Sequence, residues 1–164
     1  MTSEFVIYAG VAVVVAHGLV AGVFLTFSDF VMRSLRRVSP ESGIAAMQAI
    51  NRTVYGSVFL AMFMGLAAVS LALVVGAVVF AEGAAAAWIG AGSALYIGGV
   101  FLVTVVVNVP MNKRLDAMDH AAAETAAYWT EYAVTWTRWN HVRSFASAGS
   151  ALCLLVGTLR LAGA

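Results

Sequence analysis

Charge is what this sequence has least of: 10% of its 164 residues are charged, against about a quarter in soluble domains. So few charges cannot cover a water-soluble surface. The formal net charge is only +1, and the basic residues are not gathered on one soluble face, so no nucleic-acid partner is expected. Cysteine is nearly absent as well. The single Cys153 lies in an apolar run, which rules out a disulfide framework and a thiolate metal site. No glycine-rich nucleotide fingerprint is present.

What the chain does have is length in its apolar runs: 62% of residues are hydrophobic and the mean hydropathy is +0.93. Four segments, about 5–30, 54–80, 85–109 and 144–161, are each long enough to cross roughly 30 Å of hydrocarbon as a helix. Only closed backbone bonding is tolerated there, so helices are required. The expected architecture is all-α, a four-helix membrane bundle forming one integral membrane domain over 1–164. Residues Met1 to Glu4 carry no basic leader, so the first apolar segment is read as a retained span.

Arg33, Arg36, Arg37 and Arg52 fall in the first connection, and Lys113, Arg114, Arg138 and Arg143 in the third, whereas the second has only Glu82. Basic loops face the cytoplasm. The expectation is an integral membrane protein, in the plasma membrane, with both termini on the non-cytoplasmic side.

Within the first connection, Ser39-Pro40-Glu41-Ser42 is a helix start, and Ile44, Met47, Ile50 and Val54 recur every three or four residues. This predicts a short amphipathic helix near the membrane surface. Between Met111 and Phe145 there is neither Gly nor Pro, so the fourth helix is expected to begin early, near Ala121 or Thr125. Tyr128, Trp129, Tyr132, Trp136 and Trp139 then form an interfacial aromatic belt, a stacking wall for a flat ligand, or both, since the two readings are compatible. The Gly18 and Gly22 spacing would let a neighbouring helix approach closely.

Counting along each helix at 1.5 Å per residue puts Asp29 about 36 Å, Asn108 about 35 Å and His141 about 31 Å from the outer end, with Asn51 just before the second span. Four helices thus bring polar groups to one level. On the fourth helix Trp136, Asn140 and Arg143 share a stripe, with Trp139 and His141 flanking it. Asn108 and Asn112 stand four apart around Pro110. If the stripe faces inward, amide, imidazole and guanidinium groups close a pocket over an apolar floor; the plain alternative is helix capping and headgroup contact. His17 falls near mid-bilayer, as a functional group or as a neutral histidine bonded to a neighbouring helix. The histidines lack helical ligand spacing and matched depth, so neither a metal nor a haem is expected.

Several stretches together resemble the DUF1772, or anthrone oxygenase-like, membrane proteins. They are Gly18 to Ser28, Ala46-Met-Gln-Ala-Ile-Asn51-Arg52, Asn108-Val-Pro-Met-Asn112 and Trp136-Thr-Arg-Trp-Asn-His-Val-Arg143. The resemblance implies a four-helix membrane fold and, for members given a role, oxidation of an anthrone to an anthraquinone during polyketide synthesis.

Two functions follow as expectations. In the first, a membrane monooxygenase acts on a flat hydrophobic anthrone-like substrate without metal, flavin or other cofactor. There His141 is the base, while Arg143 and Asn140, with Asn108, Asn112, Asn51 and Asp29, hold the anion and substrate. Trp136 and Trp139 stack on the rings. In the second, the same pocket belongs to a non-catalytic module that binds or moves a lipid, quinone or hydrophobic metabolite, or scaffolds a partner. Either way, the partners are a hydrophobic small molecule and the lipid bilayer.

Overall fold

The computed structural model describes residues 2–79 and 83–163, and within them the chain is helical and free of strands. Among the described residues there are five longer helices, α1 (residues 2–35), α2 (Pro40–Thr53), α3 (Val58–Val79), α4 (Gly83–Asp116) and α5 (Ala123–Ala162), with a single 3-10 turn at Val54–Gly56. All but α2 are long and apolar enough to cross a membrane. Phe80 and Glu82, the expected end of the second span and the lone charge of the second connection, lie outside the described residues.

Local sequence accounts for the boundaries. Ser39 caps α2, its hydroxyl accepting from the Ser42 amide at 3.3 Å, and Pro40 occupies the first turn, where a missing N–H costs nothing. Helix α5 starts at Ala123, within the range expected, because nothing between there and the span breaks it. Helix α4 differs from expectation: it does not end near Val109 but runs through Pro110 to Asp116. The turns before Pro110, Tyr96–Leu102 and Thr104–Asn108, are widened to π geometry, and the Val109 amide reaches back to the Thr104 carbonyl. Proline removes a donor and crowds the preceding turn; widening that turn accommodates both effects.

The bundle packs mainly through α5, against α1 on one side and α4 on the other. One buried cluster, Val20, Phe24, Phe63, Leu66, Tyr96 and Val100 among others, fills the middle of α1, α3 and α4. Within it His17 is fully buried, with Nδ1 2.8 Å from the Val13 carbonyl and Nε2 3.4 Å from the Ser70 hydroxyl. A carbonyl only accepts, so Nδ1 carries a proton, while Nε2 faces the Ser70 hydroxyl. His17 thus ties α1 to α3.

A second cluster at the basic end joins α2 to the early part of α5 and contains Met32, Ile44, Met47, Leu115, Trp129 and Tyr132. The apolar face of α2 is thus spent on protein, not on lipid. Gln48 fastens it, donating to the Leu115 and Met118 carbonyls, both at 2.8 Å, just where α4 ends. Tyr128, Trp129, Tyr132 and Trp136 are buried in this region. They are core residues and not an interfacial belt; only Trp139, 39% exposed, has the exposure such a belt requires.

The glycines that permit close helix approach are not the ones the spacing suggests. A Cβ at Gly18 or Gly22 would meet nothing within 4 Å, whereas one at Gly99 would stand 2.5 Å from Ala146 Cβ. Close contacts fall between α4 and α5 at Gly92, Gly99 and Gly157, between α1 and α5 at Gly10, and between α1 and α2 at Gly43.

Candidate functional site

At the basic end of the bundle, α1, α2, α3, α4 and α5 surround a cavity of about 130 Å³. Its walls are largely apolar and aromatic, with Phe24, Phe27, Phe59, Phe63 and Trp136 facing it, and the exposed Tyr55 at its rim. Asn51, Asn112, Asn140, Arg143 and Thr104 supply its polar atoms.

Asn140 is fully buried and organises this polar wall. Its Nδ2 donates to the Phe24 carbonyl and to the Ser28 hydroxyl, both at 2.6 Å, and its Oδ1 accepts from Arg143 NH2 at 2.6 Å. The amide can point only one way, since the carbonyl accepts and the guanidinium donates. Just beyond Phe24, α1 widens to π geometry over Phe27–Val31, so an α5 side chain feeds directly into the α1 backbone where its ladder shifts register.

Arg143 is 5% exposed. NH1 donates to Thr104 Oγ1 at 3.2 Å, while Nε has no partner among the described residues. The guanidinium carbon stands 4.4 Å from the Phe24 ring centre and 5.1 Å from that of Trp136, contacts that contribute up to about 2 kcal/mol when desolvated. Among the described residues no carboxylate lies within 4.0 Å of it. Burying a charge without a counterion costs several kcal/mol, which the hydrogen bonds and rings offset only in part. Asn51 adds a second buried donor, its Nδ2, with no hydrogen-bond partner among the described residues. The polar wall therefore offers surplus donors and a surplus positive charge.

Asn112 braces the aromatic side. Its Oδ1 accepts from Tyr132 OH and from Trp136 Nε1, each at 2.8 Å, so both buried rings are held by one amide from α4. Asn108 is buried behind them, with Nδ2 3.4 Å from the Trp136 carbonyl and Oδ1 unpartnered.

A family model for anthrone oxygenase matches residues 52–153. The chain belongs to the anthrone oxygenase family. No curated protein and no solved structure matches it. The matched stretch of this family member carries Thr104, Asn108, Asn112, Trp136, Asn140 and Arg143, whereas Phe24, Ser28 and Asn51 precede it.

Four residues expected in this pocket do not line it: Asn108, buried behind its aromatic wall, and three that turn outward. His141 is exposed and lines a separate groove with Ser28, Arg33, Arg36 and Arg138; one residue beyond Asn140 is about 100° round the helix, enough to leave the cavity. Trp139 is likewise turned outward. Asp29 is exposed and pairs with Arg33 at 3.8 Å, one turn along α1. Among the described residues no three His, Cys, Asp or Glu side chains cluster as a metal site would require. Sequence reasoning missed Thr104, Phe24, Phe59 and Phe63. A signal for Thr104 was present, since Thr104, Asn108 and Asn112 recur every four residues on one face of α4.

Proposed function

We propose that this protein is a membrane-embedded oxygenase that binds a flat hydrophobic substrate of the anthrone class as its enolate, with Arg143 holding the anion and Asn140 positioning Arg143. The carrying observation is the buried Arg143 cation, unmatched by any carboxylate among the described residues, on the wall of an aromatic cavity. An enolate supplies what that wall lacks: one negative oxygen for the guanidinium and the Asn51 amide, and a planar apolar body for the rings.

An anthrone ionises to an electron-rich anion, so stabilising the anion is the central task. The cavity favours that ionised form directly, and the proton is left to solvent. The anion gives one electron to dioxygen, and the resulting radical and superoxide join through a new C–O bond. The peroxide takes up a proton, the remaining C–H proton is lost as the O–O bond breaks, and water leaves. In sum, CH₂ and O₂ become C=O and H₂O. None of these steps calls for His141, whose exposed position argues against its role as the base.

Membranes carrying the protein should consume one dioxygen per anthrone oxidised, faster than membranes without it. Retention of the anion with no oxygen uptake above the empty-membrane rate would make the chain a binding module for such compounds instead.

A further inference from the structure

The groove that receives His141 has a composition unlike that of the cavity. It is about 240 Å³, lies between α1 and α5 at the basic end, and is lined by Arg33, Arg36, Arg138, His141, Ser28 and Thr137 among others. Elsewhere at this end Arg52 pairs with Asp116 at 2.7 Å and Arg114 lies over Tyr128 at 4.0 Å, while Arg37 and Lys113 have no carboxylate within 4.0 Å among the described residues. In the groove only Arg33 has a carboxylate, Asp29; among the described residues Arg36 and Arg138 have none within 4.0 Å. Two guanidiniums without a carboxylate, the Ser28 hydroxyl and an imidazole lining one recess match the oxygens of a phosphate group.

A second feature continues from the same recess. Starting at His141, residues Phe145, Ala148, Leu152, Leu155 and Leu159 recur every three or four positions along α5, and all are exposed. Phe145 is 75% exposed and its ring stacks on His141 at 6.5 Å. An apolar track thus runs from the basic recess along the part of α5 that crosses the bilayer. A free anion would use the recess and leave the track idle, whereas a phospholipid uses both.

We propose that the α1–α5 groove is a binding site for an anionic phospholipid, its phosphate headgroup between Arg36 and Arg138 and one acyl chain along α5 from His141 to Leu152. Basic pockets between membrane helices have this affinity in general. The site is separate from the cavity and does not depend on the reaction assigned to it.

The test is native mass spectrometry of the full chain released from detergent with added phosphatidylglycerol or phosphatidylcholine. Phosphatidylglycerol should be retained as a discrete one-to-one adduct and phosphatidylcholine should not. Arg36→Gln with Arg138→Gln should weaken retention on the order of 30-fold, the usual effect of two arginines beside an anionic lipid. Arg36→Lys with Arg138→Lys, which keeps the charge, should preserve most of it, and Arg143→Met should leave it unaltered. Equal retention of the two lipids, or full retention by the double glutamine variant, would overturn the proposal. So would displacement of the lipid by millimolar inorganic phosphate, which would make the recess a site for the free anion.

Discussion

Arg143 and Asn140 stand one turn apart on α5, joined by a 2.6 Å hydrogen bond, and the amide that orients the guanidinium is itself locked to the Phe24 carbonyl of α1. The cation is thus held rigidly where no carboxylate among the described residues neutralises it. Stability and function make opposite demands on such a group, and that opposition gives the first prediction.

Replacing Arg143 by Met removes a buried charge and keeps much of the apolar stem. Stability should be unchanged or higher, since exchanging an uncompensated buried charge for an apolar side chain is commonly favourable. Anthrone oxidation should fall about 10²- to 10³-fold, the usual consequence of losing an oxyanion donor. Thermal unfolding in detergent, read beside oxygen uptake, checks both. A variant that loses stability yet keeps its rate would show that Arg143 serves packing alone.

Asn112→Leu acts differently, because it removes one acceptor and strands two buried donors, Tyr132 OH and Trp136 Nε1. Each unsatisfied donor costs about 1–3 kcal/mol. The melting temperature should drop clearly, and tryptophan fluorescence should change as Trp136 loses its anchor. Asn112→Asp, which keeps an acceptor at the same place, should recover most of the loss.

Gly99→Ala tests the contact between α4 and α5. The added methyl would stand 2.5 Å from Ala146 Cβ, so the helices must separate locally, at a cost of about 1–3 kcal/mol. Adding Ala146→Gly should restore most of the stability. Failure of that second change to help would place the strain elsewhere.

Orientation is the fourth prediction. Cysteines introduced at Glu41 and Asp119, both exposed in the basic connections, should react with an impermeant thiol reagent only when it is applied from the cytoplasmic face. Labelling from outside in intact cells would reverse the orientation and turn the cavity toward the other leaflet.

Much of this architecture depends on neighbours in sequence, and there the chain determined its own outcome. Long apolar runs made α1, α3, α4 and α5, Ser39 with Pro40 started α2, and the unbroken stretch after Ala122 let α5 begin early. The stripe of Trp136, Asn140 and Arg143 was legible too, because 3.6 residues per turn sets which side chains share a face.

What neighbours in sequence cannot set is what that face meets. Whether His141 or Arg143 turned inward, whether Tyr132 and Trp136 were wet or buried, and whether Asp29 would neutralise Arg143 were decided by how α1, α4 and α5 close around one another. Packing gave Asp29 to Arg33 and Asn140 to the α1 backbone. It left the cation facing a cavity, a relationship between residues more than a hundred positions apart that periodicity within one helix cannot contain.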